Sequence, residues 1–112
     1  MWDLLYYAGA AIVGGVAGYF IGKAISKYLE KALNWFEEVK KTLSRLVRAA
    51  GILIRNGNRL YKRFVAQLSN GEIEEYYDQS DDGVEIEWDD LTEEAKKALQ
   101  EDEYIVVANY EA

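Results

Sequence analysis

The feature that most constrains this chain is a stretch near its start, Leu4 to Gly22, that carries no ionisable side chain other than tyrosine. As an α-helix its residues would extend about 28 Å, close to the thickness of a bilayer's hydrocarbon core. Trp2, Tyr6 and Tyr7 stand at one end and Tyr19, Phe20 and Tyr28 near the other, where amphipathic rings favour the headgroup level. Lys23 and Lys27 follow at once, so the pattern predicts a single membrane-spanning helix over residues 1–23 with everything after it in the cytoplasm. Asp3 occupies the place of a positive leader region, and no small-residue cleavage site closes the apolar run, so a cleaved signal peptide is not expected. Five Gly and four Ala make the run less greasy than a Leu-rich span. A helix lying in the membrane surface, or one buried in a larger assembly, is the competing seat.

Within that run Ala10, Gly14, Gly18 and Gly22 recur every fourth residue and share one helix face. Lipid offers no hydrophobic drive for helix association, so such a face works by close backbone packing, and a homo-oligomer is expected. From residue 24 to 51 the spacing predicts a basic amphipathic stalk helix. Its apolar seam runs through Ile25, Leu29, Ala32, Phe36, Val39, Leu43, Leu46 and Ala50, alternately four and three residues apart. Glu37 precedes Lys41 by four, the favourable order for a helical ion pair, and Gly51 is placed to end the helix.

Beyond Gly51 the pattern changes to that of a small, mostly antiparallel sheet with one short helix, over residues 52–112. Asn56-Gly57 and Asn70-Gly71 are hairpin signals. A two-residue turn at the second would set Leu68 opposite Ile73, Phe64 opposite Tyr77 and Arg63 opposite Asp78. The run from 52 to 68 could also continue the helix, and the two Asn-Gly pairs favour the hairpin. Val84, Ile86 and Trp88 alternate with Glu85 and Glu87 as in a half-buried strand. Asp90-Leu-Thr-Glu93 reads as a capping box for a helix on Leu91, Ala95 and Leu99, and Tyr104 to Tyr110 closes as a strand. The fold class is therefore α+β, with strand order β-β-β-β-α-β after the stalk.

The net charge of −7 conceals a segregation. Between Lys23 and Arg63 eleven basic residues face three acids, +8, whereas from Phe64 to Ala112 two lysines face sixteen acids, −14. Glu72, Glu74, Asp81, Asp82, Glu85 and Glu87 form the expected acidic partner surface. Lys23, Lys27 and Lys31 lie close enough to a membrane to feel anionic lipid. Nucleic acid is not an expected partner, because no recognition fold accompanies the basic run and the acidic domain would repel phosphate.

The chain has no Cys and no His, which removes disulfides, thiolate nucleophiles and the usual zinc and haem ligands. Asp78-x-Ser80-x-Asp82-Gly83, with Asp89 at the twelfth place, resembles an EF-hand calcium loop. Glu85 stands where such loops carry an apolar residue, Asp89 replaces the bidentate Glu, and strand signals flank it, so a solvated turn is the better reading. No nucleophile elbow, phosphate-binding Gly loop or Lys in an identifiable apolar pocket is present, and neither enzyme activity nor a cofactor is expected. The function these features favour is an oligomeric membrane-anchored scaffold or binding module offering an acidic cytoplasmic domain to a protein partner. The alternatives are an immunity or inhibitor protein that neutralises a basic toxin or nuclease, and a pore-forming effector.

Overall fold

The computed structural model describes residues 23–111. The segment expected to span a membrane, and with it Ala10, Gly14, Gly18 and Gly22, lies outside them. Among the described residues no helix is long and apolar enough to cross a membrane.

Helix α1 spans Lys23–Lys41. Ile25, Leu29, Ala32 and Phe36, spaced four, three and four apart, are buried on one face, while Lys27, Glu30, Lys31, Glu37 and Glu38 are exposed on the other. Lys40 and Lys41 sit in the last turn, where cations suit the negative end of the helix dipole. The helix stops ten residues before the Gly51 expected to cap it. Thr42 N–H donates to Val39 O at 3.0 Å, its hydroxyl donates to the same carbonyl at 2.7 Å, and Leu43 N–H donates to Lys40 O at 3.1 Å. These i to i−3 bonds tighten and close the helix without Gly or Pro.

The expected stalk helix over 24–51 is thus corrected: its second half is strand β1, Leu46–Asn56, the central strand of the sheet. Leu43 lies in the connection and Leu46 begins β1, and both pack partly against the core from outside any helix. The strands that follow are β2 (Arg59–Leu68), β3 (Ile73–Tyr77) and β4 (Val84–Glu85), then a 3₁₀ turn (Trp88–Asp90), helix α2 (Glu93–Glu101) and β5 (Tyr104–Glu111). The sheet runs β3-β2-β1-β5, with β4 continuing along the same edge of β2 as β3, and every pairing is antiparallel. The α+β class and the order of elements after Gly51 agree with the sequence pattern.

Both hairpins exist, each with a different turn from the simplest one. The first closes Asn56 against Arg59, with Gly57 and Asn58 as the loop and positive φ at Gly57 alone. That is the arrangement with Gly at the first central position. In the second, Gly71 N–H donates to Leu68 O and Leu68 N–H to Glu72 O, and Gly71 takes φ +86°. A three-residue loop results, and the expected register moves by one: Gln67 faces Ile73, Phe64 faces Tyr76 and Arg63 faces Tyr77. Tyr76 therefore joins the core, Tyr77 is left exposed, and Arg63 pairs with Glu75 at 2.5 Å rather than with Asp78. Val84–Glu85 is the whole of β4, so Trp88 belongs to the 3₁₀ turn. The α2 cap is Thr92, whose hydroxyl accepts from Ala95 N–H at 3.1 Å, two residues after the Asp90 expected there.

Both helices cover one face of the sheet. Ile25, Leu29 and Phe36 of α1 and Ala95 and Leu99 of α2 share a core with Ala49, Leu53, Leu60, Phe64, Ala66 and Ile105. Phe36 stacks on Phe64 with ring centroids 5.9 Å apart. Gly51 lies beneath that ring, where a Cβ would meet Phe36 Cδ2 and Cε2 at 2.5 Å. Glycine at position 51 is thus explained by packing against α1 and not by a helix end. On the other face a second cluster of Ala50, Ile52, Val65 and Val106 is buried, with Ile73 and Tyr104 packed against it.

Candidate functional site

The most organised polar group in the domain joins α1 to the β3–β4 loop. Alternation along β2 points Leu60, Lys62, Phe64 and Ala66 toward the helices, so Lys62 is 8 % exposed. Its Nζ lies 3.3 Å from Asp78 Oδ2 and 3.5 Å from Asp81 Oδ1, and sits over the rings of Tyr28 and Trp35. The Lys62 backbone N–H donates to Tyr28 Oη at 2.8 Å and to Asp81 Oδ2 at 3.1 Å, while the Tyr28 hydroxyl donates to Asp81 Oδ2 at 2.5 Å. Sequence reasoning missed this lysine. The inward positions of Leu60, Phe64 and Ala66 were the signal that could have found it.

The loop's own geometry holds the carboxylates in place. Asp78 Oδ1 accepts from Ser80 N–H and Ser80 Oγ, and Asp81 Oδ1 accepts from Gly83 N–H at 3.0 Å. The Ser80 hydrogen bonds, and then the Lys62 ammonium, keep Asp78 below the ordinary carboxylate range. Burial, reinforced by donation to Asp81, pushes the Tyr28 phenol far above its usual range. The residues that resemble a calcium loop are therefore committed elsewhere: Asp78 and Asp81 face Lys62 and their own backbone, Asp82 is exposed, and Asp89 lies in the 3₁₀ turn. Among the described residues no three acidic side chains converge as a metal site would require.

At the mouth of this cluster lies an open cleft of about 490 Å³. Ile54, Tyr61, Arg63 and Tyr77 line it together with Lys62, Asp78, Gln79 and Asp81. Arg63 lies 5.7 Å from the Tyr77 ring centre and is paired with Glu75, so the walls are already engaged with one another.

The expected acidic surface divides in two. Asp81 is turned inward, its side chain 6 % exposed. Glu72, Glu74, Asp82, Glu85 and Glu87 are exposed, and among the described residues none of them forms an ion pair. Glu74 accepts a hydrogen bond from the Tyr76 hydroxyl, which helps burial push that phenol up to about 12. Glu85, Glu87 and Asp90 are close in sequence at the 3₁₀ turn, and the neighbouring carboxylates, Asp90 first and then Glu85, push the Glu87 carboxyl above the ordinary range. Exposed carboxylates without counter-charges form a surface that a cation would relieve. Of the expected seam, Ile25, Leu29 and Phe36 are buried in the domain core and Val39 packs partly against it, so these residues are taken up by the chain's own sheet.

The chain matches no protein-family model, and neither a characterised protein nor a solved structure proved significantly similar to it.

Proposed function

We propose that the α+β domain is a protein-binding module that presents exposed carboxylates to a basic partner. The observation that carries this reading is that Glu72, Glu74, Asp82, Glu85 and Glu87 are exposed and, among the described residues, none of them forms an ion pair, which leaves a negative field facing outward. Elsewhere in the same domain Asp78 and Asp81 are neutralised by Lys62, and Glu75 by Arg63. A basic toxin or nuclease held in an inhibited state is one partner with the required chemistry. The test compares the parent chain with a Glu85→Gln, Glu87→Gln, Asp90→Asn variant in capture of basic proteins at rising salt. Capture by the parent that is lost in the variant and at high salt is expected, and equal capture by both would sink the reading.

A second reading rests on the run from Leu4 to Gly22, followed at once by Lys23 and Lys27. These residues favour a membrane anchor that holds several copies together through Ala10, Gly14, Gly18 and Gly22, with the acidic domain in the cytoplasm. Carbonate extraction of cell membranes, with crosslinking of Gly18→Leu against a Val13→Leu control, tests it. A chain that washes off, or a Gly18→Leu variant that crosslinks as fully as the control, would count against the anchored oligomer.

A further inference from the structure

The two edges of the sheet are defended to different degrees. β3 is five residues long and carries Glu74 and Glu75, and β4 on the same edge has two residues, one of them Glu85. Short length and charge keep a sheet edge from pairing with another molecule. β5 closes the opposite edge with eight residues, and from Tyr104 to Tyr110 it has no Lys, Arg, Asp, Glu or Pro. Among the described residues β5 pairs with β1 alone. The register shows which of its main-chain groups point away from β1. Arg55 N–H donates to Glu103 O at 2.7 Å, one step beyond the Ile54–Tyr104 pair. Main-chain groups alternate in direction along a strand, so those of Arg55, Leu53, Gly51 and Ala49 face β5, and those of Ile52 and Ala50 face β2. The β5 residues opposite Ile52 and Ala50 are Val106 and Asn109, with the extra residue of a bulge, Val107, between them and Ala108. Val106 and Asn109 therefore turn their N–H and C=O outward, and no other main-chain bond among the described residues takes them up.

We infer that the β5 edges of two copies pair antiparallel about a two-fold axis between Val107 and Ala108, joining their sheets into one. In that register Val106 of each copy lies opposite Asn109 of the other, so the outward-facing residues exchange their N–H···O bonds. The faces agree as well. Val106 and Asn109 lie across from Ile52 and Ala50, which share one face of β1. Ile105 and Tyr110, which the axis also brings opposite one another, lie across from Leu53 and Ala49 on the other face. A strand without a bulge opposes to its own copy only residues an even number apart. Val106 and Asn109 are three apart, and the bulge is what brings their outward groups into register. A bulge matched by its own symmetry mate singles out a second copy over an unrelated extended peptide. The pairing requires neither the carboxylate surface nor the membrane anchor, so its failure leaves both readings standing.

Asn109 is exposed, so Asn109→Pro deletes an outward N–H at an edge position while keeping the β1 ladder, and Asn109→Ala is its control. Amide exchange is followed by NMR on the full chain, taken from whichever cell fraction holds it. In the parent the Val106 amide should exchange at least about tenfold more slowly than that of Asn58 in the first hairpin loop. Asn109→Ala should keep that protection, and Asn109→Pro should lose it by about the same factor. Fast exchange at Val106 in the parent overturns the inference, as does protection that Asn109→Pro leaves intact. Isotopically labelled and unlabelled parent chains are then mixed. A nuclear Overhauser contact between the Val106 amide of one copy and the Asn109 amide of the other upholds the pairing, and its absence overturns it. Because this measurement uses the parent, it decides even where Asn109→Pro fails to fold.

Discussion

The Tyr28 hydroxyl donates to Asp81 Oδ2 at 2.5 Å while accepting from the Lys62 backbone N–H, so one phenol ties the first turns of α1 to both β2 and the β3–β4 loop. Tyr28→Phe removes a hydrogen bond to a charged group in a half-buried site and should cost about 2 kcal/mol in urea unfolding. The same contact sets an alkaline limit. Because the folded phenol titrates above its ordinary value of 10.0, its contribution is fully present below that pH and is lost as pH rises beyond it. Stability of the parent should fall steeply above about pH 10, and Tyr28→Phe should fall less steeply over the same interval.

Lys62 neutralises two carboxylates, one of them nearly inaccessible. Lys62→Met should cost about 3 kcal/mol, because Asp81 is left buried without its counter-charge. The pH dependence should also weaken. In the parent, the depressed Asp78 stabilises the fold above the ordinary carboxylate pKa of 3.8, a contribution lost as pH falls through its lower folded value. In Lys62→Met the ammonium's share of that depression is lost while the Ser80 hydrogen bonds keep theirs, so thermal stability should fall less steeply with acid than in the parent.

Gly51→Ala places a methyl group 2.5 Å from the Phe36 ring in a filled core and should destabilise by about 1–3 kcal/mol. Phe36→Leu alone leaves a void in the same place. The two changes together should cost less than the sum of their separate costs, and a double-mutant cycle by denaturant titration measures the difference. Additive costs would mean that residues 36 and 51 do not share that space.

Thr92→Ala should cost about 1 kcal/mol through loss of the α2 cap, whereas Asp90→Ala should leave helix stability nearly unchanged. Thermal unfolding of the two variants side by side separates the positions.

Much of the second half of the fold was legible because its signals are local. Asn-Gly pairs mark both hairpins, and the run from Tyr104 to Tyr110 marks the closing strand. The turn geometry was less legible, since an Asn-Gly pair serves a two-residue loop or a three-residue loop with Gly last, and the choice shifts the register by one. The extent of α1 was hidden for a different reason. Leu43, Leu46 and Ala50 continue the helical spacing of Ile25 to Val39, while Ala49, Gly51 and Leu53 carry the alternation of β1 through the same stretch. Two periods overlap there, and only the β2 and β5 partners decide between them. The Lys62 cluster was hidden because Tyr28, Lys62 and Asp81 are brought together by tertiary packing, from positions far apart in the chain.

The position of β1 between its two partners has a kinetic side. Its neighbour β2 follows across a two-residue loop, but its other neighbour arrives much later, with Ile54 set against Tyr104 about fifty residues further along. Hairpins form in microseconds and distant pairings much more slowly, so refolding must pass through a stage in which β1-β2-β3 has zipped and the other edge of β1 is bare. That edge runs through Ala49 to Ile54, a segment without charge or proline to discourage a neighbour. The yield of refolded protein should therefore depend on concentration: dilute chains wait for their own β5, and crowded chains meet the β1 edge of another molecule first.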